Sequence, residues 1–261
     1  MAALAVSGRR WARLATGVGA VLVLAHIASA LAAYPNDMAY ANEAWGGPKN
    51  VRNLLSDANV DWAQQLYQVK AWQDRHPGEE CWFAYFASPE IDPSVYGIHC
   101  HVLPTAVTFW LGGAEVIPAT IHGNVLISAG ELSGCEWPSS RMNSYTVFQP
   151  LQPTEVIDSS IFIFHGSFGV PQAAALSRAQ IAYLLLGSGK TEEALKLARE
   201  AVAIDPEEIN SQTALGDIAA RLGLKDEARR AWGAALASAR HLEPEAQSSY
   251  VPNLEDKLKK L

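Results

Sequence analysis

The chain has 261 residues, of which 49% are hydrophobic and 18% charged, with a net charge of −7. This composition suits one large domain or two small ones and excludes wholesale disorder. The acidic balance also excludes the clustered Lys and Arg of a nucleic-acid footprint, so no nucleic-acid partner is expected.

The N-terminus reads as an export segment. Arg9, Arg10 and Arg13 precede an apolar run over residues 14–33 whose strongly polar side chain is His26. Twenty such residues in a helix span roughly 30 Å, the thickness of a bilayer core. Basic residues stay on the cytoplasmic side, so the bulk of the chain is expected outside the cytoplasm, held in the inner membrane by one span. The alternative is a cleaved signal, since Ala30-Leu31-Ala32 fits an A-x-A site and would release a periplasmic or secreted protein. Arg9-Arg10 is also a weak twin-arginine signal. His26 reads as a neutral histidine in a single anchor rather than a functional intramembrane group.

The next stretch, residues 34–65, is dense in groups that fix backbone or bind polar partners. Pro35 should stop the apolar helix, and Gly46-Gly47-Pro48 is a turn. Residues 50–56 suit a short helix. Asp57 or Asn59 is placed to cap a following helix on which Trp62, Leu66, Val69 and Trp72 recur at helical spacing. Beyond the His76-Pro77-Gly78 stop come apolar runs at 81–87, 124–129 and 160–165, with a weaker one at 97–102. These read as strands. Being apolar on both faces and separated by helix-like stretches, they suggest a small α/β layer with a mostly parallel sheet.

Several constellations in this region have two readings. Asp57, Asn59 and Asp61 alternate before Trp62, and three oxygen-bearing side chains with an indole can hold Ca²⁺ or a sugar. The same residues serve equally as a helix start, with the carboxylates opposing the helix dipole. His99-Cys100-His101 lacks the usual zinc spacing and reads as structural. The three cysteines, Cys81, Cys100 and Cys135, allow one disulfide in an oxidising compartment, with the pairing left open. Six of the eight Trp residues lie between positions 45 and 137. Such density suits a core, although aromatics also stack on sugars. No catalytic set, metal site or cofactor site emerges.

The motifs of this region carry a resemblance. Tyr34-Pro35, Ala39-Tyr40, Asn42-Glu43, Gly46-Gly47-Pro48, the stretch from Asp57 to Trp62 and Gln64-Gln65 are similar to the C-terminal part of bacterial membrane glycosyltransferases. These are relatives of the dolichyl-phosphate-mannose–protein mannosyltransferases. Ala84-Tyr85-Phe86, Tyr96-Gly97-Ile98 and the runs at 125–129 and 160–164 fit the same pattern. The resemblance covers roughly residues 14–165. It implies an extracytoplasmic domain that follows a last transmembrane helix. That family's catalytic acidic residues lie in an early loop of a many-helix bundle, and no position here matches them. The implication is an accessory domain without the transferase, or a split part of a polyprenyl-phosphate-sugar-dependent system that needs a separate membrane subunit.

From Ala175 the chain repeats with a period of 34 residues. Ala182-Tyr183, Ala194, Ala201 and Pro206 answer to Gly216-Asp217, Ala228, Ala235 and a delayed Pro244. This resembles the tetratricopeptide repeat, in which small residues sit where paired helices approach closely. The insertion at 238–242 should lengthen the last helix of the second unit. The stretch Gly187-Ser188-Gly189-Lys190-Thr191 resembles a phosphate-binding loop, but Leu184 stands where that motif needs Gly, and a turn between helices explains it better. Two repeats are few for independent stability, so the middle domain is expected to cover one end. A tail helix near 253–261, with Leu254, Leu258 and Leu261 on one side, is expected to cover the other. In the second unit the first helix should run over about 208–222. Asn210, Thr213, Asp217 and Arg221 then form one polar stripe, a candidate peptide-binding groove.

The reading is an anchor at 1–33, an α/β domain at 34–169 and helical repeats at 170–261. Its expected function is protein interaction, with a protein or peptide partner and the possibility of a membrane glycosyltransferase as that partner.

Overall fold

The computed structural model describes residues 2–34, 40–47, 50–51, 54, 60, 62, 64–86, 91–106 and 115–261, with backbone alone for 2–10. Helix α1 (Ala2–Ala33) carries a 23-residue stretch, Trp11–Ala33, long and apolar enough to cross a membrane. Its C-terminal end is covered by the chain that follows, where Ser29, Ala33 and Ala41 are buried.

Five strands form one sheet among the described residues: β1 (Cys81–Ala84), β2 (His101–Val102), β3 (Thr120–Ser128), β4 (Glu155–Ile157) and β5 (Ile161–Gly169), in the order β2-β1-β3-β5-β4. β1 runs parallel to β2 and β3, whereas β5 runs antiparallel to β3 and β4. The sheet is therefore mixed, not mostly parallel. The expectation failed because strands apolar on both faces need only be covered on both faces, which an antiparallel pair can also be. The β4–β5 hairpin turns on Asp158 and Ser159, both at positive φ, with Ser160 N donating to Ile157 O. That primed turn within a three-residue connection matches the strand twist and makes an antiparallel neighbour inexpensive.

Alternation along the strands sorts the two faces. Phe83, Leu126, Ile161 and Ile163 pack against Leu66, Val69 and Trp72 of helix α2 (Leu66–Arg75). Trp82, Val125, Ile127, Phe162 and Phe164 join the larger core on the opposite face. The short helix α3 (Ala129–Ser133) follows β3 directly. Cys81 and Cys100 form a disulfide, which closes the connection between β1 and the start of β2; Cys135 lies exposed outside it.

β5 passes through buried Val170 into a run of five helices: α4 (Pro171–Gly187), α5 (Thr191–Ile204), α6 (Ile209–Arg221), α7 (Lys225–Ala239) and α8 (Pro244–Lys260). α4 packs on α5 and α6, α5 on α6, α6 on α7, and α7 on α8. Gly187 to Thr191 is the turn between α4 and α5, entered and left by helices rather than by a strand. The insertion at 238–242 extends α7 to only 15 residues against the 14 of α5, and its remainder turns the chain. Pro244 opens α8 in its first turn instead of closing α7. The larger core continues from the sheet through Ala173, Ala174 and Leu176 to Leu254, so sheet and helices share one interior.

Candidate functional site

A concave groove of about 640 Å³ opens between α4, α6 and α8. Its lining includes Tyr183 of α4, Asn210, Thr213 and Asp217 of α6, and Tyr250, Asn253, Leu254 and Lys257 of α8. Pro138, from the segment after α3, closes one side. Three residues of the expected stripe thus share one cavity. Arg221, at the C-terminal end of α6, is exposed and is not part of the lining.

The wall is built by capping and helical spacing. Glu208 caps α6, its carboxylate accepting from the backbone N–H of Asn210 at 3.0 Å and of Ser211 at 2.5 Å. These donors are otherwise unsatisfied at a helix start. Glu208 is nevertheless 4% exposed, and burial pushes its carboxyl above the ordinary range against the pull of those hydrogen bonds. Asn210 Nδ2 also reaches Glu208 at 3.2 Å, which makes Asn210 a largely buried part of the cap rather than a solvated stripe residue. Thr213 donates its hydroxyl to Ile209 O one turn back.

Asp217 is the polar centre of the groove. It accepts from Tyr183 OH at 3.0 Å and Trp232 Nε1 at 2.9 Å, and Lys257 Nζ pairs with it. Lys257 also lies 5.6 Å from the Trp232 ring centroid, within cation–π range. Tyr183 and Asp217 stand 34 residues apart, so the hydrogen bond joins α4 to α6. Burial and the Asp217 carboxylate raise the Tyr183 phenol well above its usual range, which keeps it a donor. Burial, with a smaller contribution from Glu208, pushes Tyr250 up to about 12. Gly216 admits Trp232: a Cβ there would lie 2.3 Å from Trp232 Cδ1.

A second, more polar cleft of about 720 Å³ is lined by Glu208 together with Arg141, Gln172, Asp205, Glu207 and His241 among others. Nearby, Ser139 and Ser140 both donate to the Glu243 carboxylate, the latter at 2.7 Å, tying the segment after α3 to the start of α8.

Of the other sequence candidates, Asp57, Asn59 and Asp61 lie outside the described residues. Trp62 is 47% exposed and meets Phe86 with ring centroids 5.3 Å apart. It precedes α2 rather than sitting on it. Cys81 and Cys100 are consumed by their disulfide, and His101 stacks on Trp82 while contacting Glu115 at 2.8 Å. No cluster of three or more His, Cys, Asp or Glu suited to a metal occurs among the described residues.

Sequence reasoning did not assign Tyr250, Asn253 or Lys257 to the groove, nor Glu208 and Trp232 to the support of its wall. The alignment of Tyr183 with Asp217 was a usable signal for that pair. Nothing local marks Lys257, because it enters through the path of α8. No family model, curated protein or solved structure matches the chain.

Proposed function

We propose that the chain is a membrane-anchored, extracytoplasmic protein-interaction module whose helical region receives an extended peptide. On this reading α4–α5 and α6–α7 are two tetratricopeptide-like units and α8 is their terminal cover. The observation that carries it is the groove: corresponding positions of α4 and α6, Tyr183 and Asp217, meet on its wall, with Asn210 and Thr213 beside them. The exposed Ser249 hydroxyl and Asn253 amide, facing an apolar floor, are what an extended backbone needs from a receptor. The sheet domain is read, from its sequence resemblance, as a glycosyltransferase-type accessory domain, and no catalytic role is assigned to it.

The test uses the full chain in nanodiscs and a displayed library of extended peptides. Selected peptides should bind the native chain and lose at least tenfold in affinity to Thr213→Trp, which fills the groove, while Tm moves by no more than about two degrees. Binding indifferent to Thr213→Trp, or no peptide selected above scrambled controls, overturns the reading. Anchoring is tested separately: the chain should sediment with membranes after carbonate washing, and a mature N-terminus near Ala33 would refute it.

A further inference from the structure

The outer end of α1 does not simply hand over to a body below it; the body grips it. Ser29 Oγ donates to the Glu43 carboxylate and lies 2.7 Å from Tyr40 OH. Ala33 on α1 and Ala41 beside Tyr40 are both buried, and Ala41 belongs to the same core as the sheet and the helices. The rest of α1 from Trp11 outward is largely exposed. A long apolar helix gripped only at its last turn leaves its remaining surface for lipid.

The depth of this grip follows from the helix rise. Trp11 and Ser29 are 18 residues apart, about 27 Å at 1.5 Å per residue. That is close to the ~30 Å of a hydrocarbon core. With Trp11 at one boundary, Ser29 and its partner Glu43 reach the other, where a carboxylate can remain hydrated. The Ser29 hydroxyl, with further backbone hydrogen bonding, holds the Glu43 carboxyl below its ordinary range.

Near this end of α1 the chain exposes two large aromatics. Tyr34, one residue beyond α1, is 75% exposed, and Trp45, two residues beyond Glu43, is 68% exposed. Trp45 is held in place: Asn42 caps the turn over Glu43–Trp45, and Asn50 Nδ2 donates to Trp45 O at 2.7 Å. Trp and Tyr prefer the headgroup boundary, where an apolar ring and a polar tip are both accommodated.

We propose that Tyr34 and Trp45, fixed by the Ser29–Tyr40–Glu43 grip, form a seat that docks the globular body on the outer leaflet of the bilayer. Trp11 completes the matching girdle at the inner boundary. The inference rests on the anchored reading above and adds that the body lies against the membrane surface rather than standing off it.

The experiment reconstitutes the full chain in phosphatidylcholine vesicles. A nitroxide is attached at position 45 in a Trp45→Cys, Cys135→Ser variant. A second label is placed through Tyr67→Cys, Cys135→Ser, since Tyr67 is 74% exposed on α2 of the body. Flotation after carbonate washing comes first; failure there sinks the anchor and the seat with it. In floating protein, the label at 45 should collide with oxygen several-fold more than with a water-soluble nickel chelate, and the label at 67 should show the reverse preference. Adding Glu43→Ala to the position-45 variant should raise its nickel accessibility at least twofold. If the label at 45 behaves as the label at 67 while the chain still floats, the anchor stands and the seat is overturned.

Discussion

The sheet region and the helical region are held together by opposite means. The sheet region closes through links between distant residues. Trp72 Nε1 donates to Glu155 across 83 positions, Tyr145 OH to Pro104 O across 41, and Cys81 is bonded to Cys100. Its interior is filled by large side chains, with Trp72, Phe83, Tyr145 and Phe148 fully buried. The helical region buries alanines instead: Ala173, Ala182, Ala194, Ala198, Ala201, Ala214, Ala228 and Ala235 are all 0% exposed. Helices with small residues at their contacts approach closely and gain from summed dispersion rather than from a few large anchors. One region should therefore be vulnerable to removing a link and the other to adding a methyl group.

The largest effect is expected from removing the staple. Cys81→Ala with Cys100→Ala opens a loop of 19 residues in sequence separation. The released chain entropy, with the lost link, should cost about 3 kcal/mol in chemical unfolding of the detergent-solubilised chain. A loss below about 1 kcal/mol would show that covalent closure is not what secures the sheet edge. Next comes the added methyl. Gly216→Ala places a Cβ against a Trp232 ring that is itself fixed by Asp217. Overpacking of this kind should cost about 2 kcal/mol. Trp232→Leu should relieve much of it, so the double variant should be more stable than the sum of the two single effects implies. Purely additive effects would mean that α6 and α7 can move apart, against the close-packed picture.

The smallest effect is expected at the joint between the regions. The hydroxyls of Ser139 and then Ser140 lower the Glu243 carboxyl from 4.5 to about 2. A carboxyl depressed on folding stabilises the native state above its unfolded pKa and loses that contribution as pH falls through the folded value. The Tm difference between the native chain and Glu243→Gln should thus be constant above about pH 5 and shrink between about 4.5 and 2. A difference that does not change with pH would remove the serine–carboxylate contacts from the joint.

The two regions also differed in how much could be read beforehand. The helices after 170 were legible because apolar spacing, small residues and turn formers mark them locally. Glu208 as the start of α6 and the small residues at 182, 194, 216 and 228 all follow from local pattern. In the sheet, the apolar runs at 81, 124 and 160 located three strands, yet β4 was missed: Glu155–Ile157 is three residues long and carries no alternation to detect. Pairing direction was misjudged, since hydrophobicity reports that a strand is covered and not which way its neighbour runs. In the groove, the stripe 210–213–217 follows from helical periodicity. Its fourth member, Arg221, drops out because the cavity is bounded by α8, whose course no spacing within α6 can indicate.

What the amino-acid sequence determined by itself is therefore local and periodic: a 20-residue apolar run at 14–33, the helix starts and turns after 170, and the polar face of α6. These depend on groups within a few residues of one another, where propensity, capping and spacing act directly. The tertiary structure alone decided the Cys81–Cys100 pairing, the mixed sheet and the convergence of Tyr183, Trp232 and Lys257 on Asp217. The disulfide and the Asp217 contacts join groups 15 to 40 positions apart, and β3 pairs with β1 and β5 across 33 to 49 positions. Their proximity is set by how whole elements pack, a property that no short window of sequence contains.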